Sequence, residues 1–343
     1  MKEMSVSKRP LHRVLALASA ALVLGVPVAC AEVSELKVAK QYGISYLPLM
    51  LMEVDKLVEK EVAAAGLGEI KVDWVTLSSG AAMNDATLSD SLHFASGGVG
   101  PLATIWARTK GSADVKAATA MNAMPLFLNV RNPALRSLAD LSEKDKIALP
   151  AVKVSIQAVT LQMAAEKAFG VGNHGKLDHL TIAMSHPDAQ AALLSGASEV
   201  TGHFSSPPFQ YQQLKTQGIK TLVSSYDVLG GPATFNLVWT TAKFHAENPK
   251  VYAAFLKAFE AAIGSINKDK TDAAQRYLDI AKDRRSTHAE ILAMLEDPAI
   301  EYTMTPKNVM AYAEFMHRTG TLKVKPDSWK DMFFPNAHAL PGS

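Results

Sequence analysis

Short apolar runs alternate with helical periods along most of this chain, and each turn from run into helix is built of glycine, serine and proline. The stretch "IALPAVKVSIQAVTLQMAAEKAFG" (147–170) shows the unit. Residues 147–149 read as a strand, Pro150 breaks it, and an Ala/Leu/Met-rich helix over 155–169 stops at Gly170. Strands are expected at 36–43, 70–77, 91–96, 147–149, 177–185, 199–204 and 219–225. Helices are expected at 47–66, 79–89, 97–111, 155–169, 186–195 and 207–218. Pro48 falls in a first turn and Gly66 just past a helix end. Ser185, Pro187 and Asp188 form an S-x-x-D start for the helix at 186–195. Such alternation predicts an α/β protein with parallel-rich sheets flanked by helices.

The pattern has two interruptions and a change of character. Segments 115–130 and 233–241 are extended and long, and after 241 the chain reads as successive helices with Asn, Thr or Ser caps. This predicts two α/β lobes joined by two crossing strands that act as a hinge. One lobe takes residues 32–125 plus 233–343 with the C-terminal helices, and the other takes 126–232.

The first 31 residues stand apart. Lys2, Lys8, Arg9 and Arg13 precede the apolar run "VLALASAALVLGVPVA" (14–29), which is short for a membrane span. Ala29-Cys30-Ala31 then fits a small-x-small cleavage site, so residues 1–31 read as a secretory signal peptide and the protein as periplasmic. Lipid attachment at Cys30 is an alternative, disfavoured because Pro27 stands where a lipoprotein box wants leucine. The leader holds four of the 35 basic and one of the 33 acidic residues. The remainder carries 31 against 32, which gives no reason to expect a nucleic-acid partner. Cys30 is the only cysteine, so the exported chain has no disulfide, thiolate nucleophile or cysteine metal ligand.

In open α/β sheets ligands bind beyond the carboxyl ends of strands, where helices begin. The first N–H groups of a helix lack internal partners and carry partial positive charge, so they attract anions. Here five such junctions are rich in small and hydroxyl residues: 41–48, 77–83, 95–101, 148–157 and 203–209. Ser45, Ser79, Ser155, Ser205 and Ser206 offer hydroxyls, and Gly80, Gly97 and Gly98 allow close approach to the backbone. Gln41 opens the first junction. Tyr42, Tyr46 and Phe209 offer aromatic walls, and Lys153 is the one cation among these turns. Asn236, on the second crossing segment near Gly230-Gly231-Pro232, is expected to face the cleft. A serine before a helix is in most proteins only its cap; five such junctions drawn from two lobes suggest more.

With these patterns assembled, the chain resembles the nitrate/sulfonate/taurine (NitT/TauT-like) family of periplasmic substrate-binding proteins of ABC importers. The residues that carry the likeness are the opening strand with "KQYG", the block "SGAAMNDATLSDSLHFASGG", the stretch 147–170, "SHPDAQAALLSGASEVTGHFSSPPFQYQQL" and the late helix "NPKVYAAFLKAFEAAIGSINKDK". The resemblance implies the two-lobed periplasmic binding protein fold of type II. It implies a monomer that closes on a small, anionic molecule and delivers it to an inner-membrane ABC permease, with no catalysis, metal or cofactor. Carried over by position, it makes Gln41, Tyr46, Ser79, Gly80, Gly97, Gly98, Lys153, Ser155, Ser205 and Ser206 ligand residues. Many relatives have Trp-Asp-Pro where this chain has Ser206-Pro207-Pro208. The missing carboxylate removes a partner for a ligand ammonium, which disfavours taurine against an aliphatic sulfonate.

Three other readings stay open. A neutral pyrimidine or aromatic precursor would leave Lys153 incidental, and a periplasmic signalling module would present its ligand to a receptor. An enzyme would need catalytic groups. His174, His179 and His186 do not share a helix face, and His203 at a strand end reads as a packing or hydrogen-bonding residue. The sequence contains no H-E-x-x-H, G-x-S-x-G or Walker pattern. A pyrimidine-synthesising branch of this architecture carries a cysteine cluster, by resemblance, which this chain lacks.

Overall fold

The computed structural model describes residues 1–4 and 32–343; the apolar leader, its cleavage site and Cys30 lie outside the described residues. In chain order the strands are β1 (Glu35–Lys40), β2 (Lys71–Thr76), β3 (Ala95–Gly98), β4 (Lys116–Ala120), β5 (Asn122–Ala123), β6 (Phe127–Val130), β7 (Ile147–Leu149), β8 (Thr181–Ala183), β9 (Gly202–Ser205), β10 (Lys220–Ser224), β11 (Asn236–Thr240) and β12 (Glu301–Tyr302).

Ten of them form two sheets of the same order. In the first, β1 runs parallel to β2, and β1 meets the β3 edge through the Val38–Phe94 bridge. β11 lies antiparallel between β3 and β4. The order is therefore β2-β1-β3-β11-β4. In the second it is β8-β7-β9-β6-β10, with β7 parallel to β8 and β9, and β6 antiparallel to β9 and β10. The fourth strand of each sheet arrives from the other: β6 follows β4, and β11 follows β10. Residues 121–126 and 225–235 make the two crossings. This is the two-sheet arrangement of a type II periplasmic binding protein.

The sequence explains the layering. β7 is buried at all three positions, as a central parallel strand covered on both faces must be. The helix Pro249–Lys268 buries Val251, Tyr252, Phe255, Phe259, Ala262, Ile263 and Ile266, a stripe at helical spacing. It docks on the first sheet, where Phe255 stacks on Phe94 with ring centroids 3.8 Å apart. Each such aromatic contributes about 2–3 kcal/mol by leaving water. The Glu32 carboxylate accepts from the Lys250 and Val251 amides at this helix start. β12 pairs with β5, so a C-terminal segment braces the first crossing. Thr234 and Lys307 hydrogen-bond each other beside the second.

Three expectations change. The helix expected over 47–66 is two helices, Leu47–Val54 and Leu57–Ala64. Lys56 between them adopts φ 51°, and Asp55 is held by Arg276 at 2.6 Å. No glycine or proline marks that break. The strand expected at 177–185 begins as a 3-10 helix, His174–Leu180, because Leu177 and Leu180 are both buried at a spacing of three. The extended segment 115–130 divides into β4, β5 and β6.

Candidate functional site

Four helices begin at one place between the sheets, two from each side. From the first sheet come Gly80–Leu88, started by Ser79, and Val99–Thr109, started by Gly98. From the second come Ile156–Phe169, started by Ser155, and His186–Ser195, started by Ser185. Gly80, Gly98, Ser155, Ile156, Gln157 and His186 all line the small cavity there. Gln41, Tyr46, Pro101, Pro150, Phe235 and Asn236 complete its wall. No Lys, Arg, Asp or Glu among the described residues lines it. The positive ends of four helix dipoles therefore meet without any formal charge. Each is worth up to about 2 kcal/mol to an anion in a partly buried setting.

The polar side chains of this wall are held in place. Tyr46 donates its hydroxyl to Asn236 Oδ1 at 3.2 Å, and the Asn236 amide N–H is taken by Asn122 Oδ1 at 3.2 Å. Asn236 Nδ2 is buried and has no protein partner. An unpaired buried donor costs about 1–3 kcal/mol, so Asn236 is an amide waiting for an acceptor. Gln41 Nε2 reaches the Ser96 carbonyl at 3.1 Å. Burial drives the Tyr46 phenol far above its ordinary value, which keeps it a neutral donor. The same cause pulls the His186 imidazole down to about 4 and His203 well below its ordinary value, so both rings are neutral.

The walls touch. A Cβ on Gly98 would lie 2.6 Å from Ile156 Cγ2, one on Gly100 2.9 Å from the Val154 carbonyl, and one on Gly43 2.8 Å from the Pro207 carbonyl. The inner cavity is accordingly about 20 Å³, room for one water-sized group. The larger space lies beside it. A cleft of about 760 Å³ shares Gln41 with the inner cavity and is walled by Tyr42, Pro187, Gln190, Phe209 and Gln212. Its rim carries Lys40, Lys282, Arg284 and Arg285 together with Glu53 and Asp283.

The sequence-predicted residues divide accordingly. Gln41, Tyr46, Gly80, Gly98, Ser155 and Asn236 meet at the inner cavity, and Tyr42 and Phe209 reach the outer cleft. Gly97 stands one residue behind, where a Cβ would meet the Trp239 ring at 3.0 Å. Ser79 is occupied as a cap, accepting from the Ala82 amide at 3.2 Å. Ser45, Ser205 and Ser206 are buried with unpaired hydroxyls but line neither space. Lys153, expected as the cation among these turns, is exposed, adopts φ 63° and lines neither space. The turn that follows Pro150 leaves Lys153 exposed, and the Ser155 hydroxyl at the cavity wall is a cap like that of Ser79, accepting from the Ala158 amide at 3.2 Å and donating to the Ala151 carbonyl at 2.8 Å. Sequence reasoning missed Gln157 and His186. The signal for His186 in the sequence is that it follows a capping serine and so opens a helix.

His186 is also paired. Its Nδ1 lies 2.9 Å from His203 Nε2, and its ring stacks against Phe209 with centroids 5.5 Å apart. Among the described residues no group of three or more His, Cys, Asp or Glu is arranged to hold a metal ion, and no helix is long and apolar enough to cross a membrane.

No protein-family profile and no curated protein sequence matches the chain. Solved structures match over most of its length. The alkanesulfonate-binding protein SsuA from Xanthomonas axonopodis pv. citri, bound to MOPS, superimposes with a TM-score of 0.66 at 17% identity, covering 85% of this chain and 95% of that one. The periplasmic aliphatic sulphonate binding protein SsuA from Escherichia coli gives 0.64 at 18%, covering 88% and 92%. The periplasmic nitrate-binding protein NrtA from Synechocystis PCC 6803 gives 0.64 at 15%, covering 88% and 84%. The chain has the fold of these substrate-binding proteins.

Proposed function

We propose that the chain is the extracytoplasmic solute-binding component of an ABC importer of the nitrate/sulfonate/taurine branch, and that it captures a small organic anion such as an aliphatic sulfonate. Residues 32–125 with 233–343 form one lobe and 126–232 the other, and a membrane permease receives the ligand. The protein works as a monomer in the periplasm.

One observation carries this reading: four helix N-termini, two from each sheet, converge with the unpaired Asn236 amide on a cavity bare of carboxylates. A strong-acid oxyanion, whose oxygens all accept, matches that donor set. With the walls parted by the width of the head, the anion sits at the four helix starts, and its remainder runs past Gln41 into the outer cleft against Phe209 and Tyr42. The chain has Ser206-Pro207-Pro208 where many relatives have Trp-Asp-Pro, and that missing carboxylate disfavours taurine.

Because the walls touch, the ligand enters when they part. Movement about 121–126 and 225–235 opens the gap, and a ligand that bridges both lobes shifts the population toward closure. The site offers donors and no paired acid and base, which supports capture over catalysis. Nanomolar to micromolar affinity corresponds to about −12 to −8 kcal/mol.

The test is a thermal-shift panel of alkanesulfonates, taurine, nitrate, carboxylates and pyrimidines. An alkanesulfonate at 100 times its Kd adds about 2.7 kcal/mol of stability. The account expects that rise with alkanesulfonates and little with taurine. A rise with pyrimidines alone would replace the anion by a neutral ligand.

A further inference from the structure

Behind the inner cavity a single file of hydrogen bonds runs through the second lobe, and its direction can be read from one main-chain atom. The Gln210 carbonyl only accepts, so the group facing it at 2.9 Å is the Asn129 amide nitrogen. Asn129 Oδ1 then accepts from the Thr221 hydroxyl at 2.8 Å. The same Asn129 nitrogen donates to Gln213 Oε1 at 3.0 Å, which turns Gln213 Nε2 toward His203 Nδ1 at 2.7 Å. His203 Nδ1 is thereby an acceptor, and its proton stands on Nε2, 2.9 Å from His186 Nδ1. His186 Nδ1 is in turn an acceptor, and its N–H is on Nε2, at the cavity. Asn129, Gln213 and His203 are fully buried, and His186 and Gln157 nearly so.

We propose that His203 and Gln213 are positioning residues that lock His186 as the Nε2–H tautomer, presenting a neutral N–H donor to the ligand in the inner cavity. Each link would be broken by the opposite choice. A proton on His203 Nδ1 would face the Gln213 NH2, and one on His186 Nδ1 would face the His203 N–H. The file therefore excludes both the other tautomer and the charged ring. Burial acts the same way on both imidazoles. Gln157 Nε2 lies 3.4 Å from His186 Nε2; two donors cannot bond, so the relay requires that amide to be turned over, with its oxygen on the N–H, or to yield the N–H to a ligand.

The consequence is polarity. At this point the cavity takes a hydrogen-bond acceptor, and His186 reads it without contributing charge. That consequence for the ligand rests on the anion reading above; the tautomer does not.

The experiment is long-range proton–nitrogen NMR on the purified protein labelled with 15N-histidine, with methanesulfonate as the binding probe. His186 and His203 are both expected as Nε2–H tautomers. His203→Phe cannot donate to His186 Nδ1; it should blur the His186 tautomer and weaken methanesulfonate about tenfold, roughly one lost hydrogen bond. His203→Gln supplies an amide donor and should restore both. A protonated Nδ1 on either ring in the native protein overturns the relay, as does a His203→Phe variant whose His186 signal is unchanged. The expected tautomers in a native protein that ignores methanesulfonate support the relay and overturn the anion reading instead.

Discussion

Gly98 and Ile156 meet between the two sheets so closely that a methyl group on Gly98 would stand 2.6 Å from Ile156 Cγ2 and 2.7 Å from its Cβ. Gly98 has φ −76°, a backbone that alanine adopts freely. The Gly98→Ala substitution therefore acts through sterics alone. Overpacking of this kind costs about 1–3 kcal/mol, and it falls on the closed arrangement. Gly98→Ala should bind alkanesulfonates roughly tenfold or more weakly and show a larger radius of gyration in small-angle scattering. An unchanged radius and affinity would mean that the two walls do not have to touch.

Asn236 and Lys153 make opposite predictions. Asn236 holds an unpaired buried donor at the cavity, and Lys153 lies outside it. A hydrogen bond to a charged partner is worth about 1.5–3 kcal/mol. Asn236→Ala should weaken methanesulfonate by at least about tenfold in calorimetry, whereas Lys153→Ala should leave the affinity within about twofold, as exposed charges usually do. A large loss in Lys153→Ala would return that side chain to the cleft.

The buried histidines set a pH dependence. His186 falls to about 4 in the folded protein against 6.5 for a free imidazole, and His203 falls as well. Between those values the unfolded chain binds the extra proton, so stability rises with pH across that window. It is lost as pH drops from 6.5 toward 4, by roughly 3 kcal/mol for His186 alone. Urea unfolding at stepped pH measures this, and the His203→Gln variant should show a shallower slope. A flat profile from pH 7 to 4 would contradict neutral burial of the pair.

Ser79 is a cap and not a ligand residue in this account. Its hydroxyl accepts from the Ala82 amide. Ser79→Ala should lower stability by about 0.5–2 kcal/mol and leave the alkanesulfonate Kd where it was. A variant of native stability with impaired binding would reverse the assignment.

The sequence made the architecture readable because each βα junction is local. Gly170 stops its helix, Ser185 and Asp188 start the next, and β7 reads as a strand from three consecutive apolar residues. What stayed hidden depends on distant partners. A helix is interrupted at Lys56, beside an Asp55 that pairs with Arg276 from 221 positions away. Leu177 and Leu180 make a 3-10 turn that resembles a strand until their common burial is known. At the site, Gly80, Gly98 and Ser155 follow from junction chemistry. His186 is hinted at only by the capping Ser185, and it reaches the cavity wall beside Gln157 because the fold joins two helix starts 29 positions apart. The charge of Lys153 is legible in the sequence, and the turn that leaves it exposed is not.

The most direct measurement is anomalous diffraction from crystals grown with 3-bromopropanesulfonate, which marks the two ends of the ligand separately. The account predicts the sulfonate oxygens at the starts of the four helices beside Asn236 and Gln157, and the bromine peak in the outer cleft near Phe209. A reversed pose would contradict it, with bromine in the inner cavity and the sulfonate on Arg284 and Arg285 at the rim.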